Sequence, residues 1–177
     1  MTAYLAHAPV PPVRIRKAAG ADLEALMALE QRVFATDRLS PRSLRHFLRS
    51  PTAAVIVAEE GGDVAGAAIV LFRPRAVVAR LYSIAVFPQL GGRGVAPLLL
   101  QAAEQAALGR DCQIVRLEVH QANAAAISRY RKSGYTEFGR RPGYYEDGGD
   151  ALRFEKRLLP AIEEKSRRTA RPLSPAT

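Results

Sequence analysis

The stretch Val86-Phe87-Pro88-Gln89-Leu90-Gly91-Gly92-Arg93-Gly94-Val95-Ala96 decides how this 177-residue chain is interpreted. An apolar strand runs into a turn with three glycines and then into a helix. Glycines let a backbone approach a ligand closely, and the free N–H groups at a helix N-terminus, with the helix dipole, suit a pyrophosphate. An ordinary tight strand-to-helix turn would look the same. The stretch is neither a Rossmann fingerprint nor a Walker A loop, because no Gly-Lys-Ser/Thr follows.

Strand and helix patterns alternate around this turn. Upstream they predict a strand at 13–18, helices at 22–34 and 41–49, and strands at 53–60, 64–72 and 77–86. Downstream they predict a helix ending near residue 108, a strand at 114–120, a helix at 123–133, and strands at 135–140 and 151–158. The order βααβββαβαββ predicts the α/β class, an α+β mixed sheet of about seven strands with about four helices on its two faces.

Composition indicates one globular domain at 13–159, between a disordered leader at 1–12 and a flexible basic tail at 160–177. The single cysteine, Cys112, excludes an intrachain disulfide and favours a reducing, cytoplasmic setting. Burial as a small hydrophobe explains Cys112 better than an activated nucleophile does. No apolar run approaches the roughly 20 residues that span a bilayer, and no signal peptide is evident, so a membrane partner is not expected.

The formal net charge of +9 suits a polyanionic small ligand or an acidic protein partner. Charge alone gives only non-specific affinity for nucleic acid, so the sequence disfavours nucleic acid as a specific partner. Arg42, Arg45 and Arg49 repeat on one face of the second predicted helix. Most such stripes are solvated faces, although this one could attract an acidic substrate.

The glycine-rich turn resembles motif A of the GNAT acetyltransferases, Gln/Arg-x-x-Gly-x-Gly/Ala. Gly94 and Ala96 match the motif, whereas Gly91 stands where the family has Gln or Arg. The resemblance implies that backbone groups along this segment hold acetyl-coenzyme A, and that no metal is needed. The implied cofactor-binding residues are Ile84, Ala85 and Val86 beside the acetyl group and pantetheine arm, and Gly91, Gly92, Arg93, Gly94, Val95 and Ala96 at the pyrophosphate.

The likeness continues downstream and is closest to the RimI type, the ribosomal-protein-alanine N-acetyltransferases. Residues 81–86 are similar to the strand before the RimI loop, and residues 117–130 resemble its Leu-Glu-Val-x-x-x-Asn-x-x-Ala-(x)-x-x-Tyr segment. Gly134-Tyr135 stands where the family has Gly-Phe, and residues 144–151 resemble its Tyr-Tyr…Asp-Ala ending. The implied fold is the GNAT fold, and the implied reaction is direct attack of a neutral amine on a thioester.

Two residues carry the implied catalytic roles. Glu118 matches the general base, acting through water, although a solvated carboxylate on a half-exposed strand is the ordinary alternative. Tyr130 matches the acid that protonates the coenzyme A thiolate, or else it is a core tyrosine. His120 is either a second candidate base or an exposed strand-end histidine. Asn123 matches a contact to the pantetheine amides, and its place before a helix also predicts an N-cap.

Substrate-binding candidates are Arg42, Tyr144 and Tyr145, because the second helix borders the acceptor groove in the family and paired aromatics can wall a groove. The preferred acceptor is a protein or peptide N-terminal α-amine. Residues 35–40 lack the Pro-Trp often found in RimI, which leaves a small-molecule amine or a lysine side chain open. A basic RNA- or ribosome-associated binding module is the alternative of another class. The sequence leaves the oligomeric state open.

Overall fold

The computed structural model describes residues 12–158, so the predicted tail and all of the predicted leader except Pro12 lie outside the described residues. The strands are β1 (Arg14–Lys17), β2 (Ala53–Glu60), β3 (Asp63–Leu71), β4 (Val78–Val86), β5 (Ile114–His120), β6 (Thr136–Arg141) and β7 (Ala151–Arg157). The α-helices are α1 (Leu23–Val33), α2 (Pro41–Arg49), α3 (Val95–Leu108) and α4 (Ala124–Lys132). Short 3-10 turns at Gly20–Asp22 and Pro88–Leu90 precede α1 and α3. The predicted elements and the mixed α/β architecture are confirmed.

One seven-stranded sheet has the order β1-β2-β3-β4-β5-β7-β6. Only β4 and β5 run parallel, and every other neighbouring pair is antiparallel. Each face of the sheet buries its own apolar cluster, because alternate strand residues point to opposite sides. One cluster packs α3 and α4 against the sheet, and the other packs α1 and α2. These two sides are called the α3/α4 face and the α1/α2 face below.

Side-chain caps fix where two of the helices begin. The Ser40 hydroxyl accepts from the Ser43 N–H at 3.1 Å, at the start of α2. The Asn123 side chain accepts from the Ala126 N–H at 3.0 Å, at the start of α4. Each cap satisfies one of the N–H groups that a helix start leaves without a partner, as predicted.

A bulge at Tyr82 exchanges the two faces of β4. Ile69 of β3 pairs with Ser83, and the next residue, Val70, pairs with Leu81, so Tyr82 is an extra residue. Before the bulge, Ala79 and Leu81 belong to the α3/α4 core. After it, Ala85 belongs to the α1/α2 core instead. The bulge turns the second half of β4 relative to the first.

The parallel strands β4 and β5 pair over only part of their length. Their register runs from Val78 opposite Ile114 to Leu81 opposite Leu117 and then stops. Beyond that point β4 stays paired with β3 up to Val86, while β5 stays paired with β7 up to His120. The two strands therefore separate at their carboxyl ends. The edge of β4 that faces β5 is left open along residues 82–86, and the gap is called the cleft below.

Candidate active site

The cleft ends at the glycine-rich turn that follows β4. Gly92 and Gly94 have φ angles of 79° and 80°, the left-handed region that glycine adopts without strain. A Cβ atom on either residue would meet no atom within 4 Å. The turn therefore forms an open backbone concavity in front of the first turn of α3.

Several backbone N–H groups of this turn are free to bind a ligand. The first hydrogen bond of α3 runs from the Leu98 N–H to the Gly94 carbonyl, and Pro97 has no N–H. The N–H groups of Gly94, Val95 and Ala96 therefore lack an intrahelical acceptor. Within residues 12–158 the Gly92 N–H also has no hydrogen-bond partner. Converging amides at a helix N-terminus suit a phosphate or pyrophosphate, so the donor set fits that group.

The remaining residues of the turn are engaged differently. The Gly91 N–H donates to the Pro88 carbonyl at 3.1 Å, and the Arg93 N–H lies 3.4 Å from the Leu90 carbonyl. The Arg93 side chain donates to Glu60 at 2.7 Å, which ties the turn to the end of β2. Gly91 has a φ of −59°, so its backbone conformation is open to any residue.

Glu118 lies on the α1/α2 face of β5, between two arginines. The Arg80 Nε donates to Glu118 Oε2 at 3.0 Å, and the Arg153 Nε lies 3.9 Å from Glu118 Oε1. Only 11% of the Glu118 side chain is exposed, so this carboxylate is not the solvated strand residue of the ordinary alternative. The arginines come from β4 and β7, the two neighbours of β5. They balance its charge and fix its position beside the cleft.

Tyr130 lies on the other side of the sheet, within the α3/α4 core. Tyr130 is 5% exposed, and its helical neighbours Ala126 and Ile127 are also buried, at 8% and 9%. Its ring packs against the rings of Tyr135 and Phe154 at centroid distances of 5.7 Å and 6.4 Å. Burial raises the pKa of Tyr130 to about 12, so the hydroxyl keeps its proton at neutral pH.

His120 ends β5 and holds the loop between β6 and β7. Its Nδ1 accepts from the Ala122 N–H at 3.0 Å, which places the ring hydrogen of the neutral form on Nε2. Nε2 lies 3.0 Å from Asp147 Oδ2. The Gly149 amide, and after it His120, holds the pKa of the Asp147 carboxyl below its usual range. Both ring nitrogens are occupied, which supports a structural role for His120 over a role as base.

The loop 142–150 covers the α1/α2 side of the cleft. Arg80, which also contacts Glu118, donates to the Tyr144 hydroxyl at 2.7 Å. The Tyr145 ring packs on His120 with centroids 4.9 Å apart. Burial, followed by the charges of Tyr144, Glu118 and Tyr130, raises the pKa of Tyr145 well above its usual value.

A second loop meets the first at the mouth of the cleft. The Asp37 N–H lies 3.4 Å from Glu146 Oε2, and the Glu146 N–H lies 3.5 Å from Asp37 Oδ2. The loop that carries Asp37 is held from below by buried Glu30, which accepts from the Leu39 N–H at 3.0 Å. Asp37, Glu146 and Asp147 are all exposed at the rim of the cleft, as are Arg38 and Arg141, so the rim carries charges of both signs.

The structure thus brings most of the sequence-derived candidates to one cleft. Residues 84–86 and the glycine-rich turn line one side, and Glu118, Tyr144 and Tyr145 lie on the α1/α2 side. Tyr130 lies on the other face of the sheet, in the α3/α4 core. Arg42 does not join them, since it is exposed on α2 in a surface pocket with Arg45, His46 and Arg49. Sequence reasoning missed Arg80 and Arg153. Their strand positions alternate with buried neighbours, but only the register of β4, β5 and β7 brings them to Glu118.

Three further findings concern the described part of the chain. No helix within residues 12–158 is long and apolar enough to cross a membrane. Over the same residues, no group of three or more histidine, cysteine, aspartate or glutamate side chains could hold a metal ion. Cys112 is 2% exposed and precedes β5, at the sheet edge opposite the cleft. Burial raises the pKa of its thiol, which confirms the expectation of a small buried hydrophobe.

Comparison with known proteins adds independent information. The model of the acetyltransferase (GNAT) family matches residues 22–135. An uncharacterized N-acetyltransferase of Methanocaldococcus jannaschii is 31% identical over 139 residues, which are 78% of this chain and 87% of that protein.

Two solved structures are similar in sequence as well as in fold. The ribosomal-protein-S18-alanine N-acetyltransferase of Escherichia coli is 27% identical with a TM-score of 0.76, over 85% of this chain and 96% of that one. Nourseothricin acetyltransferase is 26% identical with a TM-score of 0.68, over 82% and 98%. One acts on a protein and the other is named for a small molecule, so similarity alone leaves the acceptor open.

Ionisation of Tyr130 is predicted to weaken the fold at alkaline pH. Its pKa is about 12 in the folded chain and about 10 when unfolded. The contribution of the buried neutral hydroxyl is complete below the unfolded pKa and is lost as pH rises through the folded one, because the unfolded chain releases its proton first. Between about pH 9 and 12 the free energy of unfolding should fall by about 2 kcal/mol more than in Tyr130→Phe.

Urea unfolding of both proteins across that pH range measures the difference directly. Tyr135 and Tyr145, whose pKa values are raised by burial and in smaller part by Tyr130, are present in both proteins, so the difference reports Tyr130 together with its coupling to them. Parallel pH profiles would show that Tyr130 titrates as an exposed phenol.

Proposed function

The chain belongs to the GNAT family of acetyltransferases, and we propose that it transfers the acetyl group of acetyl-coenzyme A to the N-terminal α-amine of a protein. It is therefore an enzyme, an N-acetyltransferase. The observation that carries the proposal is the cleft between β4 and β5, with free amides at one end and with Glu118 and Tyr130 on opposite faces of the sheet. The free thiol Cys112 suits the reducing, cytoplasmic setting that we propose for the reaction.

The amide cradle before α3 is the proposed site for the coenzyme. The N–H groups of Gly92, Gly94, Val95 and Ala96 would hold its pyrophosphate, and the positive end of the α3 dipole adds to their attraction. The open edge of β4 along residues 84–86 offers backbone groups to the pantetheine arm, where β5 no longer pairs with it. Asn123 lies at the start of α4, where its carbonyl oxygen is used as the helix cap. Its side-chain N–H₂ group remains free to donate to the arm.

Acetyl-coenzyme A supplies an activated acetyl thioester, and the chain supplies proton transfer and position. The amine nitrogen forms a bond to the acetyl carbon while the carbon–sulfur bond breaks. Glu118 accepts the proton that the amine loses, directly or through one water. Tyr130 donates its hydroxyl proton to the departing thiolate from the α3/α4 side. The pKa of about 12 keeps that proton in place before the reaction.

The acceptor approaches from the α1/α2 face. The exposed carboxylates of Asp37, Glu146 and Asp147 can pair with a positively charged amine, and Tyr144 and Tyr145 wall the path to Glu118. The likeness to the Escherichia coli enzyme supports a protein N-terminus. A small-molecule amine is the second candidate, because the contacts of Tyr144 with Arg80 and of Glu146 with Asp37 narrow the mouth. Opening both contacts would admit an extended peptide.

An acceptor panel tests the proposed reaction. Initial rates would be compared for a peptide with a free N-terminus, the same peptide with a blocked N-terminus and one internal lysine, and a small primary amine. We expect the fastest transfer to the peptide with the free N-terminus. Glu118→Gln should lower kcat by about 100-fold with the dissociation constant of acetyl-coenzyme A unchanged, because a general base acts in the transition state.

Tyr130→Phe provides the matched test of the acid. It should lower kcat while leaving coenzyme binding intact, since the ring and its packing remain. An equal loss of turnover and coenzyme binding would mean that Tyr130 is structural. Faster transfer to the small amine than to the peptide would support the proposed acetyl transfer but would contradict a protein N-terminus as the acceptor.

Gly91→Gln is predicted to tighten coenzyme binding. Gly91 has a negative φ, and its added Cβ would lie 3.1 Å from the Pro88 carbonyl oxygen, so that carbonyl must move by a few tenths of an ångström to accept it. A glutamine there restores the side chain that motif A carries and adds one hydrogen bond to a charged phosphate, which is worth about 1.5 kcal/mol or more. Calorimetry should show about tenfold tighter binding of acetyl-coenzyme A.

Gly20→Gln is the control for Gly91→Gln. Gly20 has no atom within 4 Å of its Cβ position, and it lies before α1, away from the turn. The control should bind like the wild type. Unchanged or weaker binding by Gly91→Gln would show that the turn does not meet the phosphates in the proposed register.

A further inference from the structure

Six exposed arginines form a continuous band on the surface away from the cleft. Three lie on α2, two lie in the loop before β4, and one lies in the loop before β5. The members of this arginine band are Arg42, Arg45, Arg49, Arg73, Arg75 and Arg110. The ten ion pairs among residues 12–158 use other basic side chains and none of these six. The band therefore carries six positive charges without a carboxylate partner in the described part of the chain.

Two adjacent surface pockets show that the band is continuous. One is lined by the α2 arginines with His46, Ser50 and Pro51. The other begins at Thr52 and includes Arg73, Arg75 and Arg110. Arg110 joins them, because its guanidinium donates to the Pro51 carbonyl. The single acid among the lining residues is Asp111, at the far end.

The described chain ends beside the same surface. The Leu158 N–H donates to the Gln113 carbonyl at 2.7 Å, three residues after Arg110. The sequence that follows contains Lys165, Arg167, Arg168 and Arg171 against two acids, Glu163 and Glu164. Positive charge that is scattered along residues 42–110 is thus gathered on one surface of the described fold.

We propose that the arginine band binds the phosphodiester backbone of a nucleic acid without reading its sequence. Guanidinium groups pair well with phosphates, and arginines three or four residues apart on a helix lie on the same face, with their Cβ atoms about 5–6 Å apart. A phosphate backbone offers a regular row of single negative charges to such a band. Phe72 is 8% exposed and covered by Arg110 at 4.3 Å, so it offers no face on which a base could stack, and the exposed ring among the lining residues is that of His46.

This inference is independent of the acetyl transfer reaction, because none of the band contacts involves the cleft. Net charge alone disfavoured nucleic acid as a specific partner, whereas the spatial arrangement of the arginines favours binding that does not depend on sequence. An acidic protein segment is the competing occupant. A phosphodiester backbone matches the band better than an acidic protein segment does, because it carries a negative charge on every unit and few protein segments carry a carboxylate at every position.

Salt-dependent binding of the full chain to labelled oligonucleotides tests the proposal. Fluorescence anisotropy would follow a 20-nucleotide oligouridylate, a single-stranded DNA of the same length, and a labelled oligoglutamate. Each phosphate contact with a single strand contributes about −0.7 to the slope of log K against log salt, so six contacts give a slope of about −4. Arg45→Gln/Arg49→Gln/Arg73→Gln should lower the magnitude of that slope by about 2 and weaken binding at least about tenfold at low salt.

The matched control removes the same charge elsewhere. Arg32, Arg129 and Lys132 lie outside the band and form no ion pair within residues 12–158. The triple variant Arg32→Gln/Arg129→Gln/Lys132→Gln should bind with a slope close to the wild-type value. Thermal unfolding would show whether all proteins are folded. If the triple variant is not folded, Arg73→Gln alone, which removes one exposed loop side chain, replaces it in the test.

Three outcomes would overturn the proposal. One is an equal loss in the two triple variants, which would mean that only total charge matters. Another is tighter binding of oligoglutamate than of either oligonucleotide, which would make the band a protein-docking surface. The last is a slope near zero with the wild-type chain.

Discussion

The separation of β4 from β5 is the constraint on which the rest of the site depends. The strands share four register pairs and then part, because the Tyr82 bulge turns β4 while β5 remains straight against β7. A fully paired strand has no backbone groups to offer, whereas the freed edge of β4 has them at the carboxyl end of a parallel pair. The same separation connects the two faces of the sheet. Coenzyme and acceptor can therefore meet from opposite sides, which direct transfer between two bound substrates requires.

Electrostatic contacts divide the surface into regions with different partners. Glu118 is held by Arg80 and Arg153, and Arg80 also holds Tyr144 of the covering loop. The state of the loop and the position of the carboxylate are thus linked through one guanidinium. The exposed carboxylates of Asp37, Glu146 and Asp147 lie on the proposed acceptor side, and the free amides lie at the proposed coenzyme site. The arginine band lies outside both, so a nucleic acid could be held while the cleft stays open to its substrates.

Much of the fold could be predicted because local patterns decide it. The alternation around Val115, Leu117 and Val119 fixed the buried face of β5, and Ser40 and Asn123 fixed two helix starts. The cradle could also be predicted, since its geometry follows from glycines within one turn. The contacts of Glu118 with Arg80 and Arg153 could not be predicted, because they depend on the register between strands that are far apart in sequence. The band was equally hidden, since Arg110 meets Pro51 only after the sheet has formed.

The central claim is that backbone amides before α3 hold the pyrophosphate of the coenzyme. Calorimetric titration with acetyl-coenzyme A, compared with S-acetylpantetheine, tests it most directly, because the second compound keeps the thioester and the arm but lacks the pyrophosphate together with the 3′-phosphoadenosine that the pyrophosphate carries. The account predicts saturable binding of acetyl-coenzyme A and at least about 100-fold weaker binding of S-acetylpantetheine, since two hydrogen bonds to charged phosphate are worth about 3 kcal/mol or more. Equal affinity for the two compounds, or no binding of acetyl-coenzyme A, would contradict it.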